Sequence, residues 1–196
     1  MSDTSIRKGL KGVRKKTLVK ERRPNGNKKL EALFSILFFL GLILLYWEIL
    51  IYRRTIIEIK IPLLIWLTPG ILLTPLLYDK FNKIDGMRAH WLLHYVAHTC
   101  MTGAFLLFGF MASNYYFADN QTVDKRFEIV RKGSLPGPKG HRSKREPYVE
   151  IVYKGFEKQL VFKYSDTKKI DAAQYVNLTV KKGVWGFDIL ERYDAK

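Results

Sequence analysis

His90, His94 and His98 stand four residues apart in the stretch RAHWLLHYVAHTCM, and they are three of the chain's four histidines. At ~3.6 residues per turn this spacing puts the three imidazoles on one stripe of a helix, with Met101 close to the same line. Imidazoles at i and i+4 can chelate a transition metal, so His90, His94 and His98 form the candidate metal set. A haem with two axial histidines would take its second ligand from another subunit, because the other apolar stretches contain no histidine. Ionisable groups inside a membrane also suit a proton path. The plainest alternative is a polar seam between helices, with His90 at the surface.

The stripe lies within the third of three apolar stretches. The first runs from Ala32 to Tyr52 and is interrupted only by Glu48; the second, Ile61 to Leu77, carries Pro62, Pro69 and Pro75. The third, Ala89 to Phe117, holds no acid and no lysine or arginine. A bilayer core ~30 Å thick needs ~20 helical residues, so the first and third span it comfortably. The second is shorter and kinked, and re-entry is its alternative. Glu48 and His90 fall near opposite ends of such a bundle and should not pair. Arg53 or Arg54 is the nearer partner for Glu48, and Asp79 or Asp85 for the histidines.

The charge pattern supplies an orientation. Net charge is +16, divided as +8 in residues 1–31, +2 in 32–117 and +6 in 118–196. A basic tail beside a first span predicts a cytoplasmic N-terminus. Three crossings then put the C-terminal region outside a cell inner membrane. Lys8, Lys11, Arg14, Lys15, Arg22 and Arg23 of the tail are candidate contacts for anionic lipid headgroups. The tail lacks aromatic residues on which bases stack, which disfavours nucleic acid.

Residues 118–196 have a different texture. Val149, Ile151 and Tyr153 alternate with polar residues, as do Leu160, Phe162 and Tyr164, and Val176, Leu178 and Val180. This period of two predicts antiparallel strands with one buried face. About five are expected, at 127–131, 148–154, 159–164, 175–181 and 184–192, forming a small open barrel or meander. Gly155–Lys158 and Lys182-Gly183 are the expected turns, with Gly183 supplying positive φ. A core this small needs support from the helices or a partner. Between the first two strands, Lys139, Arg142, Lys144 and Arg145 stand in a Gly- and Pro-rich loop suited to lipid headgroups or an acidic partner.

The expected architecture is therefore an α+β membrane protein. A basic tail (1–31) leads into a three-helix membrane region (32–117, spans about 32–52, 61–77 and 89–117), followed by a small antiparallel β domain (118–196). Cys100, the only cysteine, excludes an intramolecular disulfide and a zinc ribbon. No phosphate-binding loop, nucleophile elbow or HExxH motif occurs, so no enzyme is expected. The leading expectation is a non-enzymatic accessory subunit of a larger membrane complex, with Gly109 and Ser113 as a small-residue helix contact. A metal- or haem-binding membrane protein is one alternative, and an anionic-lipid or RNA tether through the tail another. The Lys-, Ile-, Phe- and Tyr-rich texture suggests a bacterial source.

Overall fold

The computed structural model describes residues 28–84, 87–137, 139–140 and 142–196. Three helices are long and apolar enough to cross a membrane. The first is α1, Lys28–Arg54, and the second is α2, Lys60–Asn82. The third runs from Trp91 to Tyr116 as α3 (Trp91–His98), a π-helical turn (Thr99–Gly103) and α4 (Ala104–Tyr116). At ~1.5 Å per residue α2 covers ~34 Å, so it is longer than the expected 61–77 stretch. Its polar ends, Lys60 and Asp79–Asn82, continue the same helix, and Pro69 and Pro75 lie within it.

The helices alternate in direction. Phe34 near the start of α1 meets Phe81 near the end of α2, with ring centroids 5.1 Å apart, and Trp47 lies 6.0 Å from Phe108 of α4. Three glycines permit the close approach. An added Cβ would fall 1.9 Å from the Cys100 carbonyl oxygen at Gly41, 2.0 Å from Thr99 Oγ1 at Gly70 and 2.1 Å from the Trp66 carbonyl oxygen at Gly103. Small residues of this kind take over where lipid removes the hydrophobic drive between helices. Gly109 is not among them, since a Cβ there meets nothing within 4 Å.

The described residues also form two antiparallel sheets with seven strands in all, against about five expected in an open barrel or meander. One sheet has the order β1-β7-β6-β2: β1 (Thr55–Ile56), β7 (Asp188–Ala195), β6 (Tyr175–Lys182) and β2 (Thr122–Glu128). The other is β3-β4-β5: β3 (Arg131–Leu135), β4 (Glu146–Tyr153) and β5 (Phe156–Val161). A short helix, α5 (Thr167–Ala172), precedes β6. Strand β1 comes from the connection between α1 and α2 and pairs Thr55 with Ile189, so that connection belongs to the β layer. Lys158 of β5 donates to the Thr55 carbonyl at 3.0 Å and bridges the two sheets at this edge.

The core lies between the sheets. Val149, Ile151 and Tyr153 of β4 and Val176, Leu178 and Val180 of β6 are at most 2% exposed, as the period of two requires. Ile170 of α5 and Ile56 of β1 close the ends. Tyr164 departs from the expected pattern: it lies in a 3-10 turn after β5 and is exposed. The turns also differ. Lys154 and Gly155, both with positive φ (49° and 89°), form the two-residue hairpin between β4 and β5. In the β6–β7 connection Gly186, at φ 83°, takes the left-handed role expected of Gly183.

Candidate functional site

The histidine stripe resolves into a pair. Residues 87–90 are not helical, and His90 is the extended N-cap of α3 (φ −64°, ψ 147°). Its Nδ1 accepts the Leu92 N–H at 3.3 Å, a local capping bond that separates His90 from the other two rings. His94 and His98 are 8% and 5% exposed, with ring centroids 6.3 Å apart. Phe81 of α2 lies 6.0 Å from the His94 ring and 5.5 Å from that of His98, and Tyr78 meets His94 edge-on at 5.4 Å. His94 Nε2 is 3.3 Å from Asn82 Oδ1, which also accepts the Ala89 N–H at 3.0 Å. Asp79, one of the expected acidic partners, thus yields to an amide, and Asp85 lies outside the described residues.

The pair lines a cavity of about 260 Å³ between the start of α1, the end of α2 and α3. Its other walls are Phe34, Phe81, Met87, Leu93 and Ala97, with Arg88 beside them. His98 Nε2 is closed off from solvent and has no hydrogen-bond partner among the described residues. Met101, buried in the π-helical turn, is not one of the walls. Among the described residues no three His, Cys, Asp or Glu side chains gather as a metal site. Two imidazoles supply half of the four ligands of a structural zinc site. The cavity is below the roughly 300–1,000 Å³ that holds drug-sized ligands.

All six buried side-chain polar atoms without a partner among the described residues lie in the bundle. They are both Glu48 oxygens, Trp66 Nε1, Thr74 Oγ1, Thr99 Oγ1 and His98 Nε2. Glu48 does not pair with Arg53 or Arg54. Five and six residues along a helix turn away from its face, and Arg54 instead donates to the Tyr115 hydroxyl at 3.1 Å.

At the opposite end of the bundle Asn114 meets the β layer. Asn114 is fully buried; its Nδ2 donates to the Phe187 carbonyl at 3.1 Å, and its Oδ1 accepts the Trp185 N–H at 3.0 Å. Trp185 Nε1 donates to Ser113 Oγ at 2.8 Å, and its ring stacks on Phe110 at 6.0 Å. Gly183 is required here, since a Cβ would fall 2.4 Å from the Asn114 amide. The β6–β7 loop is thereby seated on the end of α4.

A second polar knot lies behind that loop. The Tyr153 hydroxyl donates to Asp188 Oδ2 at 2.5 Å, Lys154 Nζ approaches the same oxygen at 3.0 Å, and Lys125 Nζ approaches it at 3.3 Å. Burial works to raise the Asp188 carboxyl, but the hydrogen bonds from Tyr153, Lys154 and Lys125 outweigh it and hold the group below its ordinary value. Burial, and then the bond to Asp188, push the Tyr153 phenol well above its ordinary range. Lys158 is held low by burial. A phenol held protonated and a saturated carboxylate make this knot a brace rather than an acid–base pair.

Of the basic loop, Lys139, Arg142 and Lys144 are exposed. Arg145 is tied down, with Nε on Ser134 Oγ and Nη2 on the Ser134 carbonyl, both at 2.8 Å. Lys8, Lys11, Arg14, Lys15, Arg22 and Arg23 lie outside the described residues. Sequence reasoning missed Asn82, Asn114 and Trp185. The usable signal was a carboxamide at each end of an apolar run, where a polar group needs a partner. No protein-family model, curated protein or solved structure matches the chain.

Proposed function

We propose that the chain is a non-enzymatic accessory or assembly subunit of a larger membrane complex. Three spans anchor it, and a β domain is presented at a fixed height and angle. The observation that carries this reading is the seating of the β6–β7 loop on Asn114 and Ser113, reinforced by β1, which joins the span connection to the same sheet. A domain that only needed tethering would need none of these bonds. A fixed domain suits the presentation of one surface to a partner. In this reading the N-terminus is cytoplasmic in a bacterial inner membrane and the β domain is outside. The uneven cations support it: Lys28, Lys29, Lys80, Lys83 and Arg88 flank one end of the bundle, and Arg53, Arg54 and Lys60 the other. Lys139, Arg142 and Lys144 are the exposed cations offered to an acidic partner or to headgroups.

The test is purification in mild detergent after crosslinking in intact cells. Partner chains at a fixed stoichiometry are expected. Recovery of the free monomer alone would overturn the proposal.

A further inference from the structure

The tip of the β6–β7 loop reads Gly183-Val184-Trp185-Gly186-Phe187, an uncharged run between Lys182 and Asp188. Contacts with α4 fix its height along the bundle. Trp185 Nε1 donates to Ser113 Oγ, the Trp185 ring stacks on Phe110, and Phe187 packs against the bundle cluster of Ile51, Leu107 and Met111. Ser113 and Phe110 stand three and six residues before Tyr116, where α4 ends, so at ~1.5 Å per residue the tip reaches ~4–9 Å back along the helix. Leu106, Phe110, Ser113 and Phe117 follow one face of α4 at helical spacing, and Leu106 and Phe117 on either side of the tip are 54% and 73% exposed. Val184 and Trp185, each 55% exposed, broaden that apolar face. The backbone of the tip is closed on the protein: the N–H groups of Gly183, Trp185 and Gly186 donate to the Phe187 carbonyl, Asn114 Oδ1 and the Gly183 carbonyl. A segment that enters hydrocarbon needs such bonds, because lipid tails offer no partner.

We propose that the tip of the β6–β7 loop is immersed in the bilayer, with Val184 and Trp185 against acyl chains just below the headgroups. Tryptophan belongs at that depth, since its ring is apolar and its one N–H is already met by Ser113. The exposed Lys182 stays at the headgroup level, as a cation beside a membrane does. Lipid thus becomes a second support of the β domain, beside the bonds to Asn114. This inference rests on the three long helices crossing a membrane and not on the accessory-subunit role.

The test uses the full chain with Cys100→Ser, a single copy per phosphatidylcholine–phosphatidylglycerol nanodisc. One cysteine is introduced and labelled with nitrobenzoxadiazole, by Val184→Cys, by Ser143→Cys in the exposed basic loop or by Ile43→Cys on the exposed face of α1. Fluorescence is quenched with lipids carrying a nitroxide near the headgroup or near the chain end, and with aqueous iodide. The label at 184 should be quenched most by the nitroxide near the headgroup and be shielded from iodide relative to the label at 143. The label at 43, midway along α1, should respond most to the nitroxide near the chain end. Iodide quenching at 184 as strong as at 143 would put the tip in water and overturn the proposal. Shielding from iodide without nitroxide quenching would mean that protein covers Val184, and would overturn it equally. In either case a normal response at 43 leaves the spans standing; loss of nitroxide quenching at 43 would remove the spans and the immersion together.

Discussion

Asn114 and Trp185, 71 residues apart in sequence, are joined by a backbone-to-amide hydrogen bond of 3.0 Å that fixes the β layer to α4. The same carboxamide donates to the Phe187 carbonyl, which also accepts the Gly183 N–H at 3.1 Å, so its loss strands one donor, the Trp185 N–H. Asn114→Ala should cost about 1–3 kcal/mol, the range for one stranded group. Ser113→Ala removes the Trp185 indole bond and the local bond from Ser113 Oγ to the Phe110 carbonyl, and should cost about 1 kcal/mol. Thermal melting gives the order of the two. Faster proteolysis at 117–121 in Asn114→Ala would show that the connection has loosened.

The Asp188 brace predicts a pH dependence. Its carboxyl sits below the ordinary value when folded, so it contributes stability that is fully present above the unfolded pKa of about 4. That contribution is lost as pH falls through the folded value. Asp188→Asn should flatten the stability profile below about pH 4 and lower the plateau above it. Tyr153→Phe, which removes the 2.5 Å bond, should cost about 1–3 kcal/mol near neutral pH. A profile for Asp188→Asn that still falls as steeply in acid would assign the acid sensitivity elsewhere.

Glycine substitutions separate packing within the chain from packing against a partner. Gly41→Val and Gly103→Val drive a side chain into the Cys100 and Trp66 carbonyls, and each should cost at least about 1–3 kcal/mol. An added Cβ at Gly109 meets nothing within 4 Å, so Gly109→Ala should not lower the melting temperature of the isolated chain. In the accessory-subunit reading, Gly109→Leu should reduce recovery of partner chains while leaving the free subunit as stable as before. Unchanged recovery would remove Gly109 from the partner surface.

Which parts of this fold were legible in the sequence depended on how local their cause is. The three helices follow from continuous apolar runs, and β4 and β6 from the alternation of Val149, Ile151 and Tyr153 and of Val176, Leu178 and Val180. Strand β1 is two residues long and exists only because Ile189 lies opposite Thr55, a relation no window of sequence contains. Strand β3 was read as loop because Gly133 sits within it; there the missing Cβ makes room for the Tyr148 ring. The histidine spacing was visible, but the start of α3 at Trp91 was not, and that start moves His90 from ligand to cap. Contacts such as Asn114 with Trp185 are set by tertiary packing alone.

Orientation can be checked chemically. In a Cys100→Ser background, a cysteine at the exposed Ser143 should react with an impermeant maleimide in intact spheroplasts. One at Ser2 should react only after lysis. Labelling of neither before lysis would put both ends in the cytoplasm and remove one crossing. Labelling of Ser2 alone would invert the proposed topology.

Glu48 gives the sharpest contrast between stability and use. It is 5% exposed inside the bundle, and neither carboxylate oxygen has a partner among the described residues. A buried polar group without compensation is costly, and replacing it by an apolar residue of similar size removes that cost. Glu48→Leu should therefore raise the melting temperature of the isolated chain, by about 1–3 kcal/mol of stability. Glu48→Gln should change it less, because the amide keeps the unmet polar atoms. Destabilisation by Glu48→Leu would mean that the carboxyl has a partner in the folded protein, such as a bound water. If Glu48→Leu both stabilises the subunit and lowers its yield in the crosslinked complex, the carboxyl is kept for assembly at the expense of the fold.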